Sequence, residues 1–194
     1  TASGDPALES DPTDAVRAAF YGGDLPGAVR AGEALLARLA PAAQDFGAKA
    51  ARARVMFWLV RCARRADQPD EALARGYEGI AAAHAAGDTR LECQLRAQMV
   101  HVLAGLGQCE SALDEGYQVL NRAVDSGDVL AQASAWLALG HVLWTLQQWR
   151  DGEQAYGQAL ALAQRCGDLE VRGLASKGVA AMEDHYAAEA RAEG

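Results

Sequence analysis

A glycine followed by an aspartate recurs at Gly87-Asp88, Gly127-Asp128 and Gly167-Asp168, two successive intervals of 40 residues. Glycine accepts the left-handed backbone that ends a helix, and an aspartate directly after it caps the next helix by accepting a backbone N–H bond. Each pair therefore reads as a helix stop followed by a helix start. Gly47 stands in the same phase one interval earlier, with Ala48 in place of the aspartate and Asp45 nearby as a substitute cap. A chain punctuated in this way is a row of repeated units.

Each unit divides once more, at Ala66-Asp67-Gln68-Pro69, at Gly105-Leu106-Gly107-Gln108 and at Gln147-Gln148, which leaves two helices of roughly 16 to 18 residues per unit. In the leading helices Val55, Leu95 and Ala135 share a phase, as do Leu59, Met99 and Leu139, and Cys62, Val102 and Val142. Steps of three and four put these sets on one helix face. In the following helices Ile80, Leu120 and Leu160 agree, whereas Tyr156 falls one residue ahead of the phase set by Tyr77 and Tyr117. Long runs of Ala, Leu, Arg, Glu and Gln with few β-branched residues favour helix over strand, so the expected fold is all-α.

Apolar residues make up 51% of the 194-residue chain, enough to bury a core and too many for a disordered one. The net charge of −8 argues against a general nucleic-acid binder, which needs a dense cationic surface. Neither a leader nor a run of ~18 apolar residues able to span a bilayer is found. Cys62, Cys93, Cys109 and Cys166 form no CxxC pair, so reduced thiols in a cytoplasmic protein are expected. A glycine-rich phosphate loop, GxSxG, HExxH and paired catalytic acids are all missing, and the expectation is a protein that is not an enzyme and carries no cofactor. His101 and His141 share a phase and stand ready to face each other, but no third residue completes a metal site.

The set Trp136, Leu139-Gly140, Leu143, Trp149, Gly152, Tyr156 and Ala159-Leu160 resembles the tetratricopeptide repeat. The preceding unit keeps Met99, Leu103, Ala112 and Leu120 but has Arg96 at the tryptophan place and Gly116 at the later aromatic place; the one before keeps Met56, Leu59, Ala72 and Ile80. The period exceeds the family's ~34 residues and is similar to the longer variant of kinesin light chains and bacterial regulatory proteins. The resemblance implies an α-α superhelix of four hairpins, over 13–47, 48–87, 88–127 and 128–167, with a capping helix at 168–191; residues 1–12, with two prolines and many small polar residues, are expected to be a disordered tail.

One helix carries a third of the chain's 18 Lys and Arg residues. Residues 48–66 contain Lys49, Arg52, Arg54, Arg61, Arg64 and Arg65 and no acid. Residues 54, 57, 61 and 65 lie along one stripe, apart from the apolar stripe of 55, 59 and 62. In the tetratricopeptide family leading helices line the concave surface. The resemblance therefore implies a lining of Arg54, Phe57, Arg61, Arg64 and Arg65, then Gln94, Ala97, His101, Ala104 and Gly105, then Ser134, Leu137, His141, Trp144 and Thr145. Arginine forks suit carboxylates, and Phe57 and Trp144 add flat apolar area. The Lys and Asn set that clamps a terminal carboxylate in chaperone-binding members is absent.

Two readings of the arginines stay open: recognition of a peptide or protein partner, with an acidic segment as the natural match, or pairing within the chain or with a second copy as a homodimer. The function expected is a non-catalytic interaction module. The alternative is the sensory or regulatory domain of a larger bacterial signalling protein, joined to a nucleotide cyclase or transcription-regulator output.

Overall fold

In a computed structural model, residues 11–192 are described. Most of the tail expected at 1–12 lies outside them. Among the described residues every regular element is helical, and the chain forms two compact units that meet at Asp88/Thr89, one of the glycine-aspartate junctions. The expected all-α stack of helical hairpins is what is observed.

Unit 1 contains α1 (Asp14–Tyr21), α2 (Leu25–Leu39), a 3₁₀ turn (Ala40–Ala42), α3 (Phe46–Arg65) and α4 (Pro69–Ala85). The Asp24 side chain caps α2 by accepting from Gly27 N at 2.8 Å, and Pro26 stands in the first turn where no N–H is needed. Helix α3 packs on α1, α2 and α4, so it buries residues on more than one face, among them Val55, Trp58, Leu59 and Cys62. Gly47 departs from the sequence expectation. It lies inside α3 and has no positive φ, because the turn is already made by the Pro41-containing 3₁₀ segment. Asp45 stands at the N-cap position without a side-chain capping bond.

Unit 2 contains α5 (Thr89–Gly105), α6 (Cys109–Asp125), α7 (Val129–Thr145), α8 (Trp149–Cys166) and α9 (Leu169–Ala192). The leading helices lie in a row, α5 on α7 and α7 on α9, while α6 packs on α5 and α7, and α8 on α7 and α9. Asp128 caps α7 through Ala131 N at 3.0 Å, and Asp168 caps α9 through Val171 N at 2.8 Å. No helix among the described residues is long and apolar enough to cross a membrane.

The 40-residue register reappears in the backbone. Gly87, Gly127 and Gly167 hold φ of 60°, 68° and 75°, and the corner inside each hairpin repeats the conformation at Asp67, Gly107 and Gln147, with φ of 55°, 76° and 58°. A left-handed glutamine is strained where glycine is not. Gln147→Gly is therefore expected to stabilise the protein by about 0.5–1 kcal/mol, read as a higher urea midpoint with an unchanged slope.

The early tyrosine has a packing cause. Tyr77 and Tyr117 are 61% and 46% exposed, whereas Tyr156 is 7% exposed. One residue of displacement turns its ring inward, where Gly140 of α7 and Gly178 of α9 make room: a Cβ on either glycine would come within 2.8 Å or 2.5 Å of the ring. In the same register the other hairpins carry Val60 and Gly76, and Val100 and Gly116; a Cβ on Gly116 would come within 2.6 Å of Leu139 and 3.8 Å of Val100.

Candidate functional site

In unit 1 the aromatic residues of α1 meet the arginines of α3. The Arg61 guanidinium carbon lies 4.7 Å from the Phe20 ring centroid, 4.9 Å from Trp58, 5.5 Å from Phe57 and 5.8 Å from Tyr21. Arg65 stands 4.7 Å over Phe20 and donates from Nη1 to the Phe20 carbonyl oxygen at 3.2 Å. Contacts of a guanidinium with ring faces are attractive and hold its planar fork in place. Phe57, Arg61 and Arg65 are thus brought together, with α1 as the element that gathers them.

Arg64 keeps an exposed surface while its head group is crowded by protein atoms; that burial first, and the Arg61 charge second, draw its pKa down to about 10. Arg54 is half-buried, and its charge helps hold the Asp11 carboxyl below its ordinary range: burial of Asp11 acts the other way and is outweighed by bonds from Thr13 and the charge of Arg54. Arg52 pairs with Glu78 of α4. The basic run of α3 is therefore partly matched inside unit 1 and partly spread over aromatic rings.

In unit 2 the same-phase residues of adjacent leading helices lie side by side. The rings of His101 on α5 and His141 on α7 are 5.2 Å apart at 60°. Gln94 and Ser134 stand two turns before them on the same helices, both half-buried. Helix α7 has no Asp, Glu, Lys or Arg along its length, so this face offers amide, hydroxyl and imidazole groups in a neutral setting.

Four expected lining residues are placed differently: Ala97 and Ala104, 2% and 4% exposed, lie in the core of unit 2, and Leu137 and Trp144 are also covered. Leu137 is only 9% exposed and packs in a cluster with Tyr156, Ala175 and Met182, because α9 covers it. Trp144 is half-buried against Trp149, 4.9 Å away, and His185 of α9, 6.2 Å away, so one side of its ring is taken up within the unit. Among the described residues no group of three or more His, Cys, Asp or Glu could hold a metal ion.

The helical-wheel reading missed an ionic cluster around the buried Glu92 in the α5–α6 hairpin. Glu92 accepts from Arg96 Nε at 3.0 Å and Arg122 Nη1 at 2.8 Å, while Arg96 Nη1 reaches Glu115 at 2.8 Å. The available signal was Arg96 at the tryptophan place, four residues after an acid: a cation on a packing position needs anions beside it.

No protein-family model and no curated protein matches the sequence. Among solved structures, the chain is similar to a Rap protein complexed with competence and sporulation factor, with a TM-score of 0.72 and 14% identity over 92% of this chain and 48% of that one. A de novo designed helical repeat protein aligns over 90% of this chain and 86% of its own with 18% identity, but its TM-score of 0.32 is too low to support an argument. The likeness to the Rap protein is one of fold, that of a helical repeat, and the chain spans about half that protein's length.

Proposed function

We propose that the protein is a non-catalytic interaction module of tetratricopeptide type, whose leading-helix faces take up a peptide or protein segment. The observation that carries this reading is the contact of His101 with His141, 5.2 Å between ring centroids, because it sets equivalent residues of successive leading helices on one continuous face. A polypeptide laid there meets Gln94, Ser134 and the two imidazoles, which supply donors and acceptors for its amide groups. The absence of charge along α7 means that docking strands no buried ion. In unit 1, the six basic residues of 48–66, with no acid among them, favour an acidic segment by charge. The Rap protein complexed with competence and sporulation factor supports a bound factor as a use for such a fold, by analogy.

The test is capture by the full chain and by a Ser134→Arg, His141→Ala variant of equal helicity, followed by synthesis of the captured segment and a titration. The variant is expected to bind that segment at least tenfold more weakly. Equal affinity would remove this face from the function.

A further inference from the structure

The 40-residue register exposes a gap in unit 1. Positions 103 and 143 are leucine, as are 106 and 146, but the corresponding residues of the α3–α4 hairpin are Ala63 and Ala66. In unit 2, Leu103, Leu143 and Leu146 pack into the core between α5, α6, α7 and α8, while Leu106 is 37% exposed, so the α7–α8 hairpin is the one in which both leucines are packed. Where unit 1 lacks the two isobutyl groups, a cleft of about 860 Å³ opens between α2, the end of α3 and the start of α4. That volume falls within the ~300–1,000 Å³ of sites that hold small organic ligands.

The floor is apolar: Leu59, Ala63 and the Cys62 thiol from α3, with Leu25 and Val29 on the α2 wall. The rim is charged and unbalanced. Arg75 is held by Glu33 at 2.9 Å and by Glu71, which matches its charge. Asp67 and Asp70 stand at the α3–α4 corner, and Arg30 is the other cation of the lining, so carboxylates outnumber guanidiniums by four to two. Asp67 fills the left-handed corner that is Gly107 or Gln147 in the other hairpins, so the missing leucines and the added carboxylate coincide in one hairpin.

We propose that this cleft binds a small organic cation with an apolar body, an alkylamine or arylamine, with its hydrocarbon on Val29, Leu59 and Ala63 and its ammonium group at Asp67 and Asp70. The apolar floor supplies the transfer of hydrocarbon out of water, and the excess of carboxylates selects against anions and prefers a cation to a neutral molecule of the same length. This site is independent of the peptide face in unit 2.

Titration of the full chain with n-hexylamine, hexan-1-ol and hexanoate by calorimetry, followed residue by residue by NMR, tests the proposal. Hexylamine is expected to saturate the cleft at least tenfold more tightly than hexanol, and hexanoate is expected not to saturate. Ala63→Leu with Ala66→Leu, which installs the residues of the other hairpins, should weaken hexylamine binding at least tenfold. Asp67→Asn with Asp70→Asn should leave the apolar floor intact and bring hexylamine to the level of hexanol, so the decision stands even if the leucine pair fails to fold. Neither pair should alter capture at Ser134 and His141, which keeps the two readings separable. Absence of saturable hexylamine binding, equal binding of hexanoate, or hexylamine binding that survives the asparagine pair would overturn the assignment.

Discussion

Glu92→Ala is expected to destabilise unit 2 by about 3 kcal/mol, the low end for breaking a buried ion pair. Glu92 is 5% exposed and accepts hydrogen bonds from both Arg96 and Arg122. Its removal leaves the Arg96 guanidinium with Glu115 alone. Burial by itself would lower the Arg96 pKa; the bonds and charges of Glu115 and Glu92 outweigh it and raise the value, so losing Glu92 removes part of what makes the half-buried cation tolerable. Arg122 escapes more easily, because half of its side chain already faces solvent. For that reason Arg122→Ala is expected to cost only ~1 kcal/mol or less. Urea midpoints for the two variants decide the matter: similar losses would mean that Glu92 is held by surface pairing and not by a buried cluster.

The contrast between these two arginines shows what a single chain's pattern reveals and where it stops. The junctions were legible because Gly127-Asp128 and Gly167-Asp168 need only a left-handed glycine and a side-chain cap, both local properties of adjacent residues. The neighbourhood of His101 and His141 was legible as well, since equal phase in stacked hairpins brings equal positions together. Residues whose surroundings depend on a third helix were not. A helical wheel puts Leu137 on the same stripe as Ser134 and His141, but α9 lies across it. The same wheel shows Arg61 as an open cation and cannot show α1 laying Phe20 and Tyr21 beside it. Gly47 matched the register of the glycine-aspartate pairs, yet without an aspartate after it the turn moved upstream to Pro41. Ala63 and Ala66 were in view throughout; only comparison with the leucines 40 and 80 residues later turns two ordinary alanines into a cleft.

Tyr156→Ala is expected to be more costly than any change at the exposed tyrosines, about 4 kcal/mol, because it empties a site shaped by two glycines on two different helices. Tyr77→Ala and Tyr117→Ala, at exposed positions one residue out of phase with Tyr156, should stay within ~0.5 kcal/mol. If the loss arises from the cavity, restoring bulk from the opposite side should recover part of it. Gly140→Val places at 140 the valine that stands 40 residues earlier at 100, where it shares the space beside Gly116 with Leu139; added to Tyr156→Ala it is expected to recover ~1–2 kcal/mol, while alone, against the intact ring, it should destabilise by ~1–3 kcal/mol. A change of sign between those two backgrounds is the signature of the exchange, and additive effects would dismiss it. Alkali gives a second readout. Burial pushes the Tyr156 hydroxyl up to about 12, above its ordinary value of 10. Below pH 10 the group is protonated in the folded and unfolded chains alike, and its neutral form favours neither. Between pH 10 and 12 the unfolded chain releases the proton first, so native stability should fall by about 1.4 kcal/mol per pH unit from this one group. Tyr156→Phe has no proton to lose, and its stability relative to wild type should rise steadily across that window; parallel curves would mean that the hydroxyl reaches water.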